Sequence, residues 1–85
     1  MINNEFKNLN EKISFTDLAL SSYLSLYFQI IELNTENGIK FEFVFSDSPD
    51  LQKAISDFYS NKAQISPLPY FNAIKNLKGR IYSRN

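Results

Sequence analysis

The stretch Ile39-Lys40-Phe41-Glu42-Phe43-Val44-Phe45 decides the fold. Apolar residues occupy every second position, from Ile39 through three phenylalanines, which is the period of a β-strand with one buried face. A fully buried large apolar side chain contributes roughly 1.5–3 kcal/mol, so this row of rings is expected to anchor the core. The rest of the chain is expected to pair with the strand or to cover its aromatic face.

A second strand, residues 29–34, precedes this stretch and is expected to form a hairpin with it. A two-residue turn at Asn37-Gly38 is the usual first choice for such a sequence. That turn would place Glu32 and Asn34 on the aromatic face. Because two polar side chains make a poor core, the hydrophobic pattern argues against it.

A three-residue loop, residues 36–38, gives a better register. It sets Leu33 opposite Phe41 and Ile31 opposite Phe43, with Gly38 in the left-handed conformation that closes such loops. The other face of the hairpin then carries Ile30, Glu32, Lys40, Glu42 and Val44.

In this register Glu32 lies opposite Glu42, a like-charge pair that is tolerated only in water. The face is therefore expected to be solvated and acidic. A sheet that reads RNA turns its aromatic side chains outward, so the inward row argues against an RNA-binding sheet.

Helical spacing accounts for most of the remaining chain. The first helix is predicted over residues 16–27, with Thr16 or Ser14 as its N-cap and Asp17 near its positive end. Its apolar stripe consists of Leu20, Tyr23, Leu24 and Tyr27.

The strongest local signal is Ser48-Pro49-Asp50, an N-cap, a proline at the first helical position and an acid in the first turn. It predicts a second helix that ends at Asn61. The apolar stripe of this helix consists of Leu51, Ala54, Ile55, Phe58 and Tyr59.

Ser66-Pro67 repeats the cap-and-proline signal and predicts a third helix, in which Pro69 still lies within the first turn. Gly79 either ends this helix or lies inside it as a weak point. The predicted stripe consists of Tyr70, Phe71, Ile74, Leu77 and Ile81.

These elements predict an α+β fold, an antiparallel β-hairpin packed by three helices. Two short edge strands, residues 12–15 and 62–65, are left open by the sequence. If both form, the order becomes the split β-α-β arrangement with an added C-terminal helix. Residues 1–12 are predicted to be an N-terminal leader and residues 13–85 a single α+β domain.

Composition narrows the function classes. The 85 residues include no histidine and no cysteine, so the usual neutral-pH base, thiolate ligands and disulfides are excluded. We expect a non-enzymatic protein without cofactor or metal. Polar residues interrupt the apolar-rich stretch 18–33, so no membrane span is expected, and the protein is predicted to be cytoplasmic.

Two acidic residues are the nearest approach to a metal site. Asp47 and Asp50 could bind Mg²⁺ or Ca²⁺. They also flank Ser48 at a predicted helix N-terminus, where negative charge is favourable. This second explanation is preferred.

Charge is unevenly distributed along the chain. Residues 1–60 hold four lysines and nine acidic residues, a net charge of −5, whereas residues 61–85 hold five cations and no acid. The cations that define a candidate nucleic-acid site are Lys62, Lys75, Lys78, Arg80 and Arg84. A helix with cations near its C-terminus, packed on an acidic body, explains the same asymmetry and is favoured.

Several phrases resemble one family. They are Phe15-Thr16-Asp17-Leu18, Phe43-Val44-Phe45-Ser46-Asp47-Ser48-Pro49, Phe58-Tyr59 and Tyr70-Phe71-Asn72-Ala73-Ile74-Lys75-Asn76-Leu77-Lys78. Together they look like a family of small domains of unknown function from bacteria, archaea and their viruses, covering about residues 13–83. The resemblance implies a compact α+β unit and no known activity, ligand or catalytic residue.

Two functional hypotheses follow. The first is a protein-interaction or homo-oligomeric module, because the chain is small and rich in aromatic residues and its hairpin leaves edges to be covered. The alternative is a nucleic-acid-binding accessory protein that uses the basic C-terminal helix. The identity of the ligand or partner does not follow from the sequence.

Overall fold

The computed structural model of the chain describes residues 11–36 and 40–83. It is an α+β fold with three antiparallel strands in one sheet and three helices. The strands are β1 (Lys12–Phe15), β2 (Ile30–Glu36) and β3 (Lys40–Ser46), and the helices are α1 (Leu18–Ser25), α2 (Pro49–Tyr59) and α3 (Pro67–Ser83).

The phenylalanine row lies on the central strand, since the sheet order is β1-β3-β2. Phe43 and Phe45 are fully buried, as predicted. The first short strand is confirmed, because β1 pairs antiparallel with β3. Residues 62–65 form no strand, although Ala63 and Ile65 still pack against the core. The predicted leader falls largely on residues 1–10, which lie outside the described residues.

The hairpin register differs from the prediction by two residues. Leu33 is on the aromatic face, as expected, but it pairs with Phe43 instead of Phe41. The last pair is Glu36 with Lys40, so three residues, 37–39, connect the strands and lie outside the described part of the chain. The three-residue length is therefore right and the predicted loop position, residues 36–38, is wrong.

An irregularity in β2 changes which isoleucine faces the core. The pairing shifts between Ile30 and Glu32, which inserts Ile31 as an extra residue in the manner of a β-bulge. Ile30 consequently packs against the core and Ile31 is exposed. The prediction that Ile31 lies opposite Phe43 on the aromatic face is wrong for this reason.

The other face of the sheet is polar around one buried residue. Val44 is buried between its neighbours Ser14 and Glu32 on the two flanking strands. The prediction that Glu32 lies opposite Glu42 is wrong, because Glu42 pairs with Asn34. The carboxylate of Glu32 instead accepts a hydrogen bond from the ammonium of Lys12 on β1, across the central strand.

Helix α1 is enclosed on every side. Five consecutive residues, 20–24, are buried, and at about 100° per residue these cover the whole circumference of the helix. Asp17 is the N-cap, in place of Thr16 or Ser14, since its Oδ1 accepts a hydrogen bond from the Leu20 amide at 3.1 Å. The helix is shorter than the predicted 16–27, and Tyr27 lies beyond it, exposed.

The cap of α2 is confirmed in detail. Ser48 Oγ accepts a hydrogen bond from the Leu51 amide at 3.0 Å, with Pro49 at the start of the helix. The helix ends at Tyr59, and Asn61 follows with a φ of 64°, the left-handed conformation expected of a residue that stops a helix.

The core lies between the aromatic face of the sheet and the inward sides of the helices. Its most buried members are Leu20, Leu24, Phe43, Phe45, Leu51 and Leu77. Gly79 lies inside α3 and does not end it.

Candidate functional site

Helix α3 is attached to the protein by one side only. Leu77 is buried, and Tyr70 and Ile81 pack against the core. The hydroxyl of Tyr70 donates a hydrogen bond to the Ala19 carbonyl at 3.0 Å, which joins the start of α3 to α1. Burial, and next the negative charge of Asp17, raise the pKa of Tyr70.

A neighbouring side of α3, about 110° around the helix from the packed residues, carries an uncovered row that we call the outer stripe. It consists of Leu68, Phe71, Lys75, Lys78 and Tyr82. Leu68 is 66% exposed, Phe71 56% and Tyr82 68%, and both lysines are exposed. The predicted stripe is therefore wrong for Phe71, which points away from the core.

The members of the outer stripe are spaced alternately by three and four residues. At about 100° per residue they fall within an arc of about 80°. At 1.5 Å per residue the row from Leu68 to Tyr82 is about 21 Å long. It is thus a narrow, straight row along one side of a continuous helix.

Positive charge is interleaved with the apolar side chains. The ammonium of Lys75 lies 5.3 Å from the centroid of the Phe71 ring, within the range of a cation–π interaction. Among the described residues, the salt bridges involve Lys12 and Lys53 only, so neither lysine of the outer stripe is neutralised by a carboxylate there.

Four of the five cations predicted to bind nucleic acid lie in the described part of the chain, and these four do not share one surface. Lys75 and Lys78 share the outer stripe, whereas Arg80 is about 180° from Phe71 around the helix. Lys62 is exposed in the segment between α2 and α3, and Arg84 lies outside the described residues. The helix thus gathers two of them.

A second aromatic cluster lies at α1 and α2. Tyr23 stacks on Phe58 with ring centroids 5.4 Å apart, and Tyr27 and Tyr59 pack edge-on against these two rings. Burial raises the pKa of Tyr23.

Although exposed, Tyr59 is tied to the fold. Its hydroxyl donates a hydrogen bond to Asp17 Oδ2 at 2.8 Å, and this bond, more than burial, raises the pKa of Tyr59. The prediction that Tyr59 belongs to the buried stripe of α2 is wrong.

Two shallow surface depressions are lined in part by polar side chains. One, of about 200 Å³, is at the start of α2. Its Asp47 accepts a hydrogen bond from Gln52 at 2.9 Å and its Ser48 caps the helix. Both side chains are thereby used by the helix terminus.

The other depression, of about 210 Å³, is on the polar face of the sheet and includes the Lys12–Glu32 pair. The hydrogen bond from Lys12 lowers the pKa of Glu32.

In residues 11–36 and 40–83, no three acidic side chains are grouped so that they could hold a metal ion. Within the same ranges, no helix has the length and apolar character needed to cross a membrane.

The outer stripe was not predicted from the sequence, although the sequence contains a signal for it. Tyr70 and Phe71 are adjacent and so project about 100° apart, and both cannot share one narrow buried stripe. The spacing of Phe71, Lys75, Lys78 and Tyr82 is itself helical, and it defines a second face. None of these four side chains is needed to pack the core.

A comparison with protein families identifies the family of this domain. The model of a domain of unknown function, DUF5659, matches residues 10–83. The chain belongs to this family. The match confirms the resemblance to a family without assigned activity, and the DUF5659 region includes every described strand and helix. No curated protein and no solved structure matches the chain.

Proposed function

We propose that this DUF5659 protein is a non-enzymatic protein-interaction module that binds its partner through the outer stripe of α3. The observation that carries the proposal is the exposure of Leu68, Phe71 and Tyr82 in one row on a helix that packs against the core through a different side. Large apolar side chains exposed together and bordered by charged ones mark interaction surfaces.

The residue types support this reading. Large aromatic side chains are frequent anchors of protein interfaces, and an amphipathic helix face with anchors three and four residues apart is a recurring recognition element. The lysines keep the uncovered row compatible with water when no partner is bound. A cytoplasmic location, which agrees with the lack of cysteine, and a presence in bacteria, archaea and viruses are part of the proposal.

A capture experiment tests it. The tagged full chain is incubated with an extract of its native host cells, and retained proteins are quantified for the wild type and for the double variant Phe71→Ser/Tyr82→Ser. Tyr27→Ser is the matched control, since it removes an exposed tyrosine outside the outer stripe. We expect a protein that is retained by the wild type and the control and lost in the double variant. Equal retention by all three would contradict the proposal.

One observation favours a second candidate, binding of single-stranded nucleic acid. Lys75 lies over the Phe71 ring, and aromatic side chains beside cations are used by proteins that stack on bases. A mobility-shift titration at low salt tests this candidate. Binding that weakens as salt is raised would support it, and the absence of binding would eliminate it.

A further inference from the structure

We infer that the partner of the outer stripe is an acidic amphipathic helix, an inference that rests on the proposed function. The chemistry of the stripe specifies such a partner in three respects: its charge, its spacing and the nature of its first anchor.

Charge excludes a symmetric pairing of two copies of α3. Lys75 and Lys78 are the only charged residues of the outer stripe, and residues 61–85 contain no acid. Two facing copies would bring four ammonium groups into one interface with no carboxylate, and like charges in contact are unfavourable. A partner that supplies carboxylates beside its apolar residues converts these lysines from a cost into ion pairs.

Spacing specifies a helix. The alternation of three and four residues over about 21 Å is the pattern along which two helices pack side by side. The backbone of α3 is already hydrogen-bonded within the helix, so it offers no edge to an added strand. The matching partner has apolar residues at the same spacing and carboxylates that reach the two central lysines.

The first anchor separates a protein partner from a nucleic acid. Leu68 is the aliphatic end of the stripe and is 66% exposed, and an aliphatic side chain gives no stacking with bases. Arg80 is on another side of the helix, so only two cations of the stripe could contact a phosphate backbone. An apolar helix surface uses all five residues, and a single strand of nucleic acid does not.

Two synthetic helical peptides of roughly 21 residues, long enough to cover the stripe, provide the test. Both carry leucines at alternating spacings of three and four residues, flanked by glutamate in one peptide and by lysine in the other. Binding to the full chain is measured by fluorescence anisotropy. We expect the acidic peptide to bind at least tenfold more tightly than the basic one, and to weaken as salt is raised.

Charge reversal makes the test specific. In Lys75→Glu/Lys78→Glu the preference should invert, so that the basic peptide binds more tightly. Lys40→Glu/Lys62→Glu, which changes the net charge equally at exposed positions off the stripe, should keep the wild-type preference. Phe71→Ser should weaken binding of the preferred peptide at least tenfold. Far-ultraviolet circular dichroism verifies that each variant keeps its helices.

The remaining outcomes overturn the inference in different ways. Equal binding of both peptides that depends on Phe71 would remove the acidic requirement and leave the proposed function standing. Binding of neither peptide would also overturn the inference, and the capture experiment then decides the proposed function by itself. Binding of an oligothymidylate that is lost in Phe71→Ser would replace both with nucleic-acid recognition.

Discussion

At the scale of single residues, Phe45 and Phe71 have different roles, and substituting each in turn distinguishes them. Phe45 is fully buried on the central strand and Phe71 is exposed on α3. Phe45→Ala should lower the free energy of unfolding by about 3–5 kcal/mol, because it removes buried contacts and leaves a cavity, whereas Phe71→Ala should change it by less than about 0.5 kcal/mol. Urea denaturation of both variants measures the difference.

If Phe45→Ala does not fold, Phe45→Leu serves instead, with an expected loss of about 1–1.5 kcal/mol because much of the apolar volume is kept. A large loss in Phe71→Ala would mean that Phe71 belongs to the core and that the outer stripe is not a free surface.

Two buried serines lower the stability of this fold. The Oγ atoms of Ser21 and Ser22 are buried and have no hydrogen-bond partner in the part of the chain that the structure describes. Since an unsatisfied buried hydroxyl is unfavourable, Ser21→Ala or Ser22→Ala should raise the free energy of unfolding by about 1 kcal/mol.

Thermal and urea unfolding measure this gain. Ser25→Ala is the matched control, because its Oγ donates a hydrogen bond to the Ser22 carbonyl at 2.7 Å, and it should bring no gain. A loss of stability in both core variants would show that the hydroxyls are needed where they are.

Alkaline pH should destabilise the protein through its tyrosines. The pKa of Tyr59 is raised by its hydrogen bond to Asp17, and burial raises those of Tyr23 and Tyr70. A raised pKa means that the folded state prefers the neutral phenol. This contribution is complete below the unfolded pKa of about 10 and is lost as pH rises through the folded pKa.

Unfolding by urea at a series of pH values follows this loss. In Tyr59→Phe the decline above pH about 10 should be smaller, since one of the three titrating groups is absent. The same decline in the variant and the wild type would contradict the role given to the Tyr59–Asp17 bond.

At the scale of the helices and strands, local signals predicted the structure well where one or two residues determine it. Ser48-Pro49 starts α2 and Asn61 follows its end because capping depends on side chains adjacent to the helix terminus. The face of β2 that points to the core near the turn was equally predictable, since only odd-numbered positions such as Leu33 supply apolar side chains to the aromatic face there.

The bulge at Ile31 could not be predicted in the same way. Ile30 and Ile31 are equivalent by hydrophobicity, and strict alternation from Leu33 would place Ile31 inward, so the pattern of β2 gives no sign of the extra residue that turns Ile30 inward. The choice depends on how the end of β2 meets Phe45 and the helices above it, which is a property of tertiary packing. Residues 62–65 illustrate the same limit, because Ile65 contacts the core without strand pairing.

Gly79 is a removable weakness in α3. It lies inside the helix, and apart from its chain neighbours and the backbone of its own helix a Cβ added there would meet no atom within 4 Å. Gly79→Ala should raise the free energy of unfolding by about 0.5–1 kcal/mol, because glycine loses more backbone entropy in a helix.

The change is read from thermal unfolding and from far-ultraviolet circular dichroism. Asn76→Gly, at an exposed position of the same helix, should act in the opposite direction by a few tenths, about 0.3 kcal/mol. A destabilised Gly79→Ala protein would indicate that α3 does not continue through this position.

At the scale of the whole molecule, acidic and basic residues occupy different parts of the chain. The acidic residues all lie within the first sixty positions, and every charged residue among the last twenty-five is a cation. The charge asymmetry was apparent from the sequence. The side of α3 that faces solvent was not apparent, because the helix has two apolar rows and either could pack against the core. One row consists of Tyr70, Ile74, Leu77 and Ile81, and the other contains Leu68, Phe71 and Tyr82.

Packing on α1 resolves that competition. The Tyr70 hydroxyl reaches the Ala19 carbonyl and Leu77 enters the core, so the other row is left in solvent. An apolar row without internal partners, carrying two lysines, is the feature from which the interaction role and the acidic partner are both inferred.

Photo-crosslinking in the native host cell tests this role most directly. Benzoylphenylalanine is placed at Phe71 within the outer stripe or, as a control, at Tyr27 outside it, and the products are separated after nuclease treatment. We predict a crosslink to a distinct protein from position 71 that is lost in Lys75→Glu/Lys78→Glu and is absent from position 27. Crosslinks from position 27 alone, or only to nucleic acid or to a second copy of this chain, would contradict it.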